Sequence, residues 1–410
     1  MHKSSLYIYL FAASIGCISI VYFVSLLLHL PFIAAVILIL IAEYFLCKLV
    51  LQLKTVDEEH TSALKYAVLV YGIASIGYVA PTLATKHGAW DAWAIWNLHA
   101  GYLADGIYWK HMFLNTVGVH PDYPLALPAS LAFLNRFTGN TLLVNYCFHF
   151  LITISTPTVI YLQTYKRGWL LTTIAFILLC RDDFYITLGM YQLADTLLAF
   201  FILLAMIAID YAENDSRYVT LSTAMLGCCI WTKNEGLVLA ILFFLFFYKD
   251  LLNKKAFKYT LAGIALPLLV YTIFKIGFAP QNDILQSQGS GTLNFFTNKE
   301  RYKLIYTAWK DSINLHYYTV ACVVALCVFL AIIKGKLPDR RIAFILSVCI
   351  AYSVVYLVTP HDLDWHLKTS IDRLIHQLMP VSIYASLMYL TSSNFFNFRA
   401  RFVTNQQSPQ

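Results

Sequence analysis

The chain has 410 residues, 59% of them hydrophobic and only 12% charged, with a mean hydropathy of +0.65. Soluble proteins carry about 25% charged residues, so a soluble globular domain is excluded. The net charge of +7 is spread over short loops with no nucleic-acid character, and the nine cysteines sit in or beside apolar runs without metal-ligand spacing, so no disulfide framework is expected.

Apolar runs of about 18–22 residues recur along the chain, as in helices that cross a bilayer. They predict an all-α polytopic membrane protein with about 12 transmembrane helices. The first run starts at Leu6, is followed at once by another, and shows no small-residue cleavage site, so it reads as a retained span. The twelve fall near 6–28, 31–53, 65–85, 140–163, 168–181, 196–211, 218–233, 236–249, 259–277, 316–333, 341–359 and 375–393. Two of them, 168–181 and 236–249, are short. With the N-terminus inside, the inner segments hold 17 of the 29 Lys and Arg residues, from Lys3 to Arg401, which is the positive-inside bias.

That orientation places the polar clusters 86–139, 180–195, 232–236, 278–315 and 360–373 on the non-cytoplasmic side, with 13 of the 22 acidic residues. Segment 120–139 is apolar, short and proline-containing, and is expected as a juxtamembrane helix lying on the outer face. Segment 291–310 reads as an amphipathic surface helix, and 281–292 as a mobile loop. No internal repeat or linker is visible, so 1–410 is expected to be a single domain.

In the first outer cluster, Trp90, Trp93 and Trp96 surround Asp91 at a three-residue spacing that lines one side of a helix, the pattern of an interfacial aromatic belt. Asp91 is either a general base or a helix N-cap. Asn97 and His99 follow it. In His120-Pro-Asp122-Tyr123-Pro, the prolines fix an extended backbone around a carboxylate, an imidazole and a phenol. Asp195 heads a span, a depth at which an ionisable group is a functional candidate by default, and Asp182 and Asp183 precede it beside Arg181. Lys233 and Glu235 lie between two apolar runs with almost no loop, either as an ion pair closing a turn or with Lys233 as a phosphate ligand. The densest polar segment holds His361, Asp364, His366, Lys368 and Arg373; metal ligation by its His and Asp residues is a minority reading beside a phosphate clamp of Arg373 and Lys368.

Taken in order, Trp-Asp91-Ala-Trp-Ala-Ile-Trp-Asn-Leu, His-Pro-Asp122-Tyr-Pro, Tyr-Gln-Leu-Ala-Asp195-Thr-Leu-Leu-Ala, Lys233-Asn-Glu-Gly and Trp-His-Leu-Lys-Thr-Ser-Ile-Asp-Arg373 resemble the GT-C superfamily of integral-membrane glycosyltransferases. The similarity is to the bacterial branch related to protein O-mannosyltransferases and runs from about residue 65 to 390, with 1–60 as an extra N-terminal helix pair and 86–139 as the first outer catalytic loop. His99 stands where relatives often carry Lys. The resemblance implies a polyprenyl-phosphate sugar donor, Asp91 as the first acidic catalytic position, Asp195 as the second with Asp182 or Asp183 as alternatives, and Lys233 near the lipid phosphate.

The expected activity is inverting transfer of that sugar to an acceptor hydroxyl on a glycan, lipid or protein. Asp91 acts as base, and Lys233, Arg373 and Lys368 bind the donor phosphate. Trp90, Trp93, Asn97, His99, His120, Asp122, Tyr123, Glu235, His361, Asp364 and His366 are weaker substrate-binding candidates. A single displacement needs one base, not the retaining carboxylate pair. The sequence names no cofactor, and a divalent cation is compatible with it. The expected setting is a bacterial inner membrane, in contact with membrane lipid and with the site facing the periplasm. The alternative is a transporter or flippase for a lipid-linked sugar or another anion, in which polar groups tend to sit near the midplane of repeated halves.

Overall fold

The computed structural model describes residues 1–55, 65, 68–76, 87–114, 119–281 and 292–392. Its elements are helices: α1 Lys3–Leu27, α2 Phe32–Leu51, α3 Asn97–Asp105, α4 Ala126–Thr138, α5 Thr141–Thr164, α6 Trp169–Arg181, α7 Asp183–Met190, α8 Ala194–Ile209, α9 Arg217–Thr232, α10 Asn234–Leu251, α11 Phe257–Gly277, α12 Thr292–Thr297, α13 Lys299–Ser312, α14 Tyr318–Ile333, α15 Arg340–Val358 and α16 Leu363–Ser392. Among the described residues, six helices are long and apolar enough to cross a membrane. The count rises to seven if α7 and α8, bent by 111°, form one span. Of the expected span 65–85, residue 65 and the helical stretch 68–76 are described, and nearly all of the expected loop 281–292 lies outside the described residues.

The core is built around α8. Every one of its sixteen residues is buried, as its unbroken Thr-Leu-Leu-Ala-Phe-Phe-Ile-Leu-Leu run requires, because a helix apolar all round must be surrounded. It packs against α9 and α16, and α9 in turn lies against α11. Both ends of α8 are charged. At its start stands Asp195; at its end Asp210 pairs with Arg341 Nε at 3.1 Å and accepts from Tyr384 Oη at 2.8 Å. By contrast, α2 keeps Ile33, Ile37, Leu40, Tyr44 and Phe45 exposed, an apolar face suited to lipid.

Two expectations are corrected here and a third gains detail. The tryptophan stripe does not hold, because Ala92–Trp96 form a π-helical turn with i→i+5 bonding; its wider turn carries Trp96 round into the core while Trp90 and Trp93 remain exposed. Segment 120–139 forms a short helix, α4, as expected, and Ala126–Phe133 are buried in a run against α1 and α3. The surface helix expected at 291–310 is in large part the start of a longer one: α13 runs through a second π turn, Ile313–Tyr317, into α14, so that Lys299–Ile333 is continuous.

Gly236 sets how closely α10 can follow α9. A Cβ there would stand 1.9 Å from the carbonyl oxygen of Cys229, a backbone atom that has nowhere to go. Gly236→Ala is therefore expected to cost about 1–3 kcal/mol by overpacking, seen as a lower unfolding midpoint in detergent. Gly101→Ala, where a Cβ meets nothing within 4 Å, is expected to leave that midpoint unchanged or slightly raised.

Candidate functional site

Five segments converge on one charged centre. The first turn of α8 supplies Asp195, the one-residue break between α9 and α10 supplies Lys233, and α10 begins with Asn234 and Glu235. Helix α16 supplies Arg373 and, one turn later, Gln377; the residue ahead of the first π turn is Asp91. Lys233 Nζ lies 3.0 Å from Asp195 Oδ1 and 3.1 Å from Glu235 Oε1. Gln377 Nε2 donates to the same Asp195 Oδ1 at 2.6 Å. Arg373 bridges the centre to its edge: Nε stands 3.5 Å from Asp195 Oδ2, and Nη1 donates to Asp91 Oδ2 at 2.5 Å. Asp91 makes no capping bond to the π turn that follows it, and its carboxylate is committed to Arg373.

A second layer holds these groups in place. Tyr123 is stacked between Trp96 (centroids 5.6 Å apart) and His120 (4.8 Å), and Lys233 Nζ lies 5.8 Å from its ring centroid. Burial, and then the neighbouring Glu235 carboxylate, keep the Tyr123 phenol protonated well above its ordinary range. Asn234 donates to Asp122 Oδ2 at 2.7 Å, and Lys275 Nζ donates to Asn234 Oδ1 at 2.7 Å and to the Asp122 carbonyl at 2.6 Å. On the other flank Asn145 donates to Asn97, and Asn97 to Gln192, tying α5 and α3 to the bend before Asp195. His120 and Gln192 both adopt positive φ, 51° and 59°, a conformation costly outside glycine and typical of site loops.

The structure thus brings together Asp91, Asp122, Tyr123, Asp195, Lys233, Glu235 and Arg373, with His120 and Asn97 beside them. It does not bring in the rest of the 360–373 segment. Lys368 pairs with Asp364 on the exposed face of α16, and His366 Nδ1 lies 2.9 Å from Thr359 Oγ1 with its ring on Tyr356 and His361. Asp182 caps α7 through the Tyr185 N–H at 2.6 Å. His99 is fully buried rather than presented to a substrate; burial, with His120 nearby, lowers it to about 4. Gln377, Lys275, Asn145 and Gln192 were not singled out from the sequence. Each is an isolated polar residue in or beside an apolar run, which was the available signal.

Exposure separates two roles. Lys233 and Asp195 are each 1% exposed, whereas Arg373 and Asp91 are 21% and 20% exposed. The first pair is an internal anchor and the second is reachable from outside. Arg373 Nε, Asp195 Oδ2 and Glu235 Oε2 are buried and make no hydrogen bond among the described residues. Among those residues, no three His, Cys, Asp or Glu groups gather as a metal site. The arrangement offers a carboxylate and a guanidinium side by side at a mouth, backed by a buried ammonium: a proton acceptor next to an anion binder.

Comparison with family models, with curated proteins and with solved structures finds no match for this chain.

Removing Asp195 leaves Lys233 with Glu235, a partly exposed carboxylate, as its one remaining ion-pair partner among the described residues. Asp195→Ala is expected to destabilise the fold by about 3–5 kcal/mol, whereas Lys368→Ala, which breaks an exposed pair, should cost less than about 1 kcal/mol; unfolding midpoints of the two variants check this. His99 gives a pH signature. Its folded value is about 4 against an ordinary 6.5, so between the two the unfolded chain binds a proton that the folded chain refuses. Stability should therefore fall as pH drops from 6.5 towards 4, and His99→Gln should flatten that fall in pH-dependent unfolding.

Proposed function

We propose that this chain is an inverting glycosyltransferase that moves a sugar from a polyprenyl-phosphate donor to an acceptor hydroxyl at the extracytoplasmic face of the membrane. The observation that carries the reading is the reachable Asp91–Arg373 pair at the mouth of an otherwise buried charge network. The acceptor oxygen attacks the anomeric carbon, its proton passes to Asp91, and the bond from that carbon to the phosphate oxygen breaks. The polyprenyl phosphate leaves with the electron pair, its charge met by Arg373.

The pairing adds a step. Asp91 and Arg373 neutralise each other here, so an arriving phosphate competes with Asp91 for the guanidinium, and by taking it releases the carboxylate towards the acceptor. Asp195 is a positioning residue in this scheme: with Gln377 and Glu235 it holds Lys233 and Arg373 at the site. Lys233 contributes positive potential from behind Arg373. The exposed apolar helix faces would keep the polyprenyl tail in the bilayer.

The proposed frame has twelve spans in a bacterial inner membrane, with the site end of the bundle outside. It is supported by the opposite ends of the helices, where Arg217, Arg340 and Arg341 pair with Asp215, Asp250 and Asp210. The order of the five GT-C-like motifs supports the donor class, since four of them supply the charged centre and the fifth its Tyr123 platform.

In vesicles carrying radiolabelled polyprenyl-phosphate sugars, Asp91→Asn is expected to slow transfer by about 10²–10⁴-fold, the usual contribution of a general base. Arg373→Lys should raise the donor KM. Full transfer by correctly inserted Asp91→Asn would overturn the assignment of the base. Movement of the lipid across the bilayer without sugar release would replace transfer by transport.

A further inference from the structure

Beside the charged centre lies an open groove of about 520 Å³. It continues along the helical segment that follows Asp91, and its lining includes Asn97, Gly101, Tyr102, Asp105, Tyr108 and His111. Asn97 joins the two regions: it lines the groove, while its amide is fixed by Gln192 and Asn145. It stands six positions after Asp91, roughly 9 Å at the rise of an α-helix.

The chemistry of this lining differs from that of the centre. Among the described residues, neither Lys nor Arg lines it, so that lining presents no side-chain cation to a phosphate. It offers instead two phenol rings, an imidazole, an amide and a carboxylate around a glycine floor. Asp105 Oδ1 accepts from the N–H groups of Ile107 and Tyr108, which fixes the carboxylate at the turn, and the Tyr108 and His111 rings stand 5.2 Å apart at its far end. Flat apolar surface beside fixed hydrogen-bonding groups suits a ligand with one apolar face and many hydroxyls. Pyranose rings have that character, and a few fixed polar groups in an aromatic cleft are the usual means of orienting a small ligand.

We propose that this groove binds a neutral carbohydrate unit, and that it is where the acceptor of the transfer reaction is held. The second clause rests on the function proposed above; the first does not. The donor phosphate and the acceptor sugar then occupy different lips of the site, the former at Arg373 and the latter along α3, with Asp91 between them. Specificity for the acceptor lies in Asn97, Tyr102 and Asp105, and specificity for the donor in the charged centre.

Gly101 suits the test, because a Cβ there meets no protein atom within 4 Å. Binding of methyl hexopyranosides to the full-length protein in detergent is followed by saturation-transfer NMR, with inorganic phosphate as competitor. Wild type should bind, phosphate should not displace the sugar, and Gly101→Leu should weaken binding by about tenfold or more while melting like wild type. Tyr102→Ala should weaken it too. Equal binding by wild type and Gly101→Leu, displacement by phosphate, or retention of a serine peptide in place of the sugars would each overturn the proposal. In the transfer assay, Gly101→Leu should raise the acceptor KM and leave the donor KM unchanged. Sugar binding without any transfer would leave the groove standing and remove the transferase reading; transfer with binding indifferent to Gly101→Leu would do the reverse.

Discussion

The ion pair between Lys233 and Asp195 is the constraint on which the rest depends. Both groups are almost wholly buried, and taking an ammonium and a carboxylate out of water costs several kcal/mol apiece. That cost is offset only when each charge is met from several directions. Lys233 therefore has Glu235 as a second carboxylate, and Asp195 has the Gln377 amide and the Arg373 guanidinium. The donors and acceptors come from α8, the α9–α10 break and α16, so the pair cannot form unless those helices meet in one register. Gly236, pressed against the Cys229 carbonyl, is a local condition for the same meeting.

From that anchor the charges become progressively more accessible. Asp195 and Lys233 are sealed, Glu235 is partly open, and Asp91 and Arg373 reach the mouth. An arginine at the boundary suits this arrangement, since its fork faces the buried carboxylate with one nitrogen and the outer carboxylate with another. A single guanidinium thereby couples the interior, where geometry is held, to the edge, where a ligand arrives. The aromatic stack of Trp96, Tyr123 and His120 packs beside these charges.

Much of this was legible in the residues. Apolar runs foretold a helical membrane protein, and ionisable residues at run ends, where they are expensive, marked Asp195, Lys233 and Arg373. What stayed hidden depended on three-dimensional detail. Gln377 and Lys275 are single polar residues whose value lies wholly in what they face. The 360–373 segment looked like the richest binding surface by density, yet Asp362 caps α16, Asp364 and Lys368 satisfy each other, and Asp372 accepts from Ser312. Only Arg373 of that segment's charges is turned towards the centre. Local density measured how many charges needed partners, not how many were available to a ligand.

The π turn at Ala92–Trp96 shows how a small irregularity is encoded. Such a turn holds one more residue than an α turn between bonded groups. Deleting a residue inside it, without altering any side chain named above, would restore regular winding and swing the preceding chain by about 100° about the axis. Asp91 would then face away from Arg373, and Trp96 would lose its place against Tyr123. The pairing at the mouth is thus written partly in chain length: a relative that kept the aspartate but lacked the extra residue would hold the same letters and a different site.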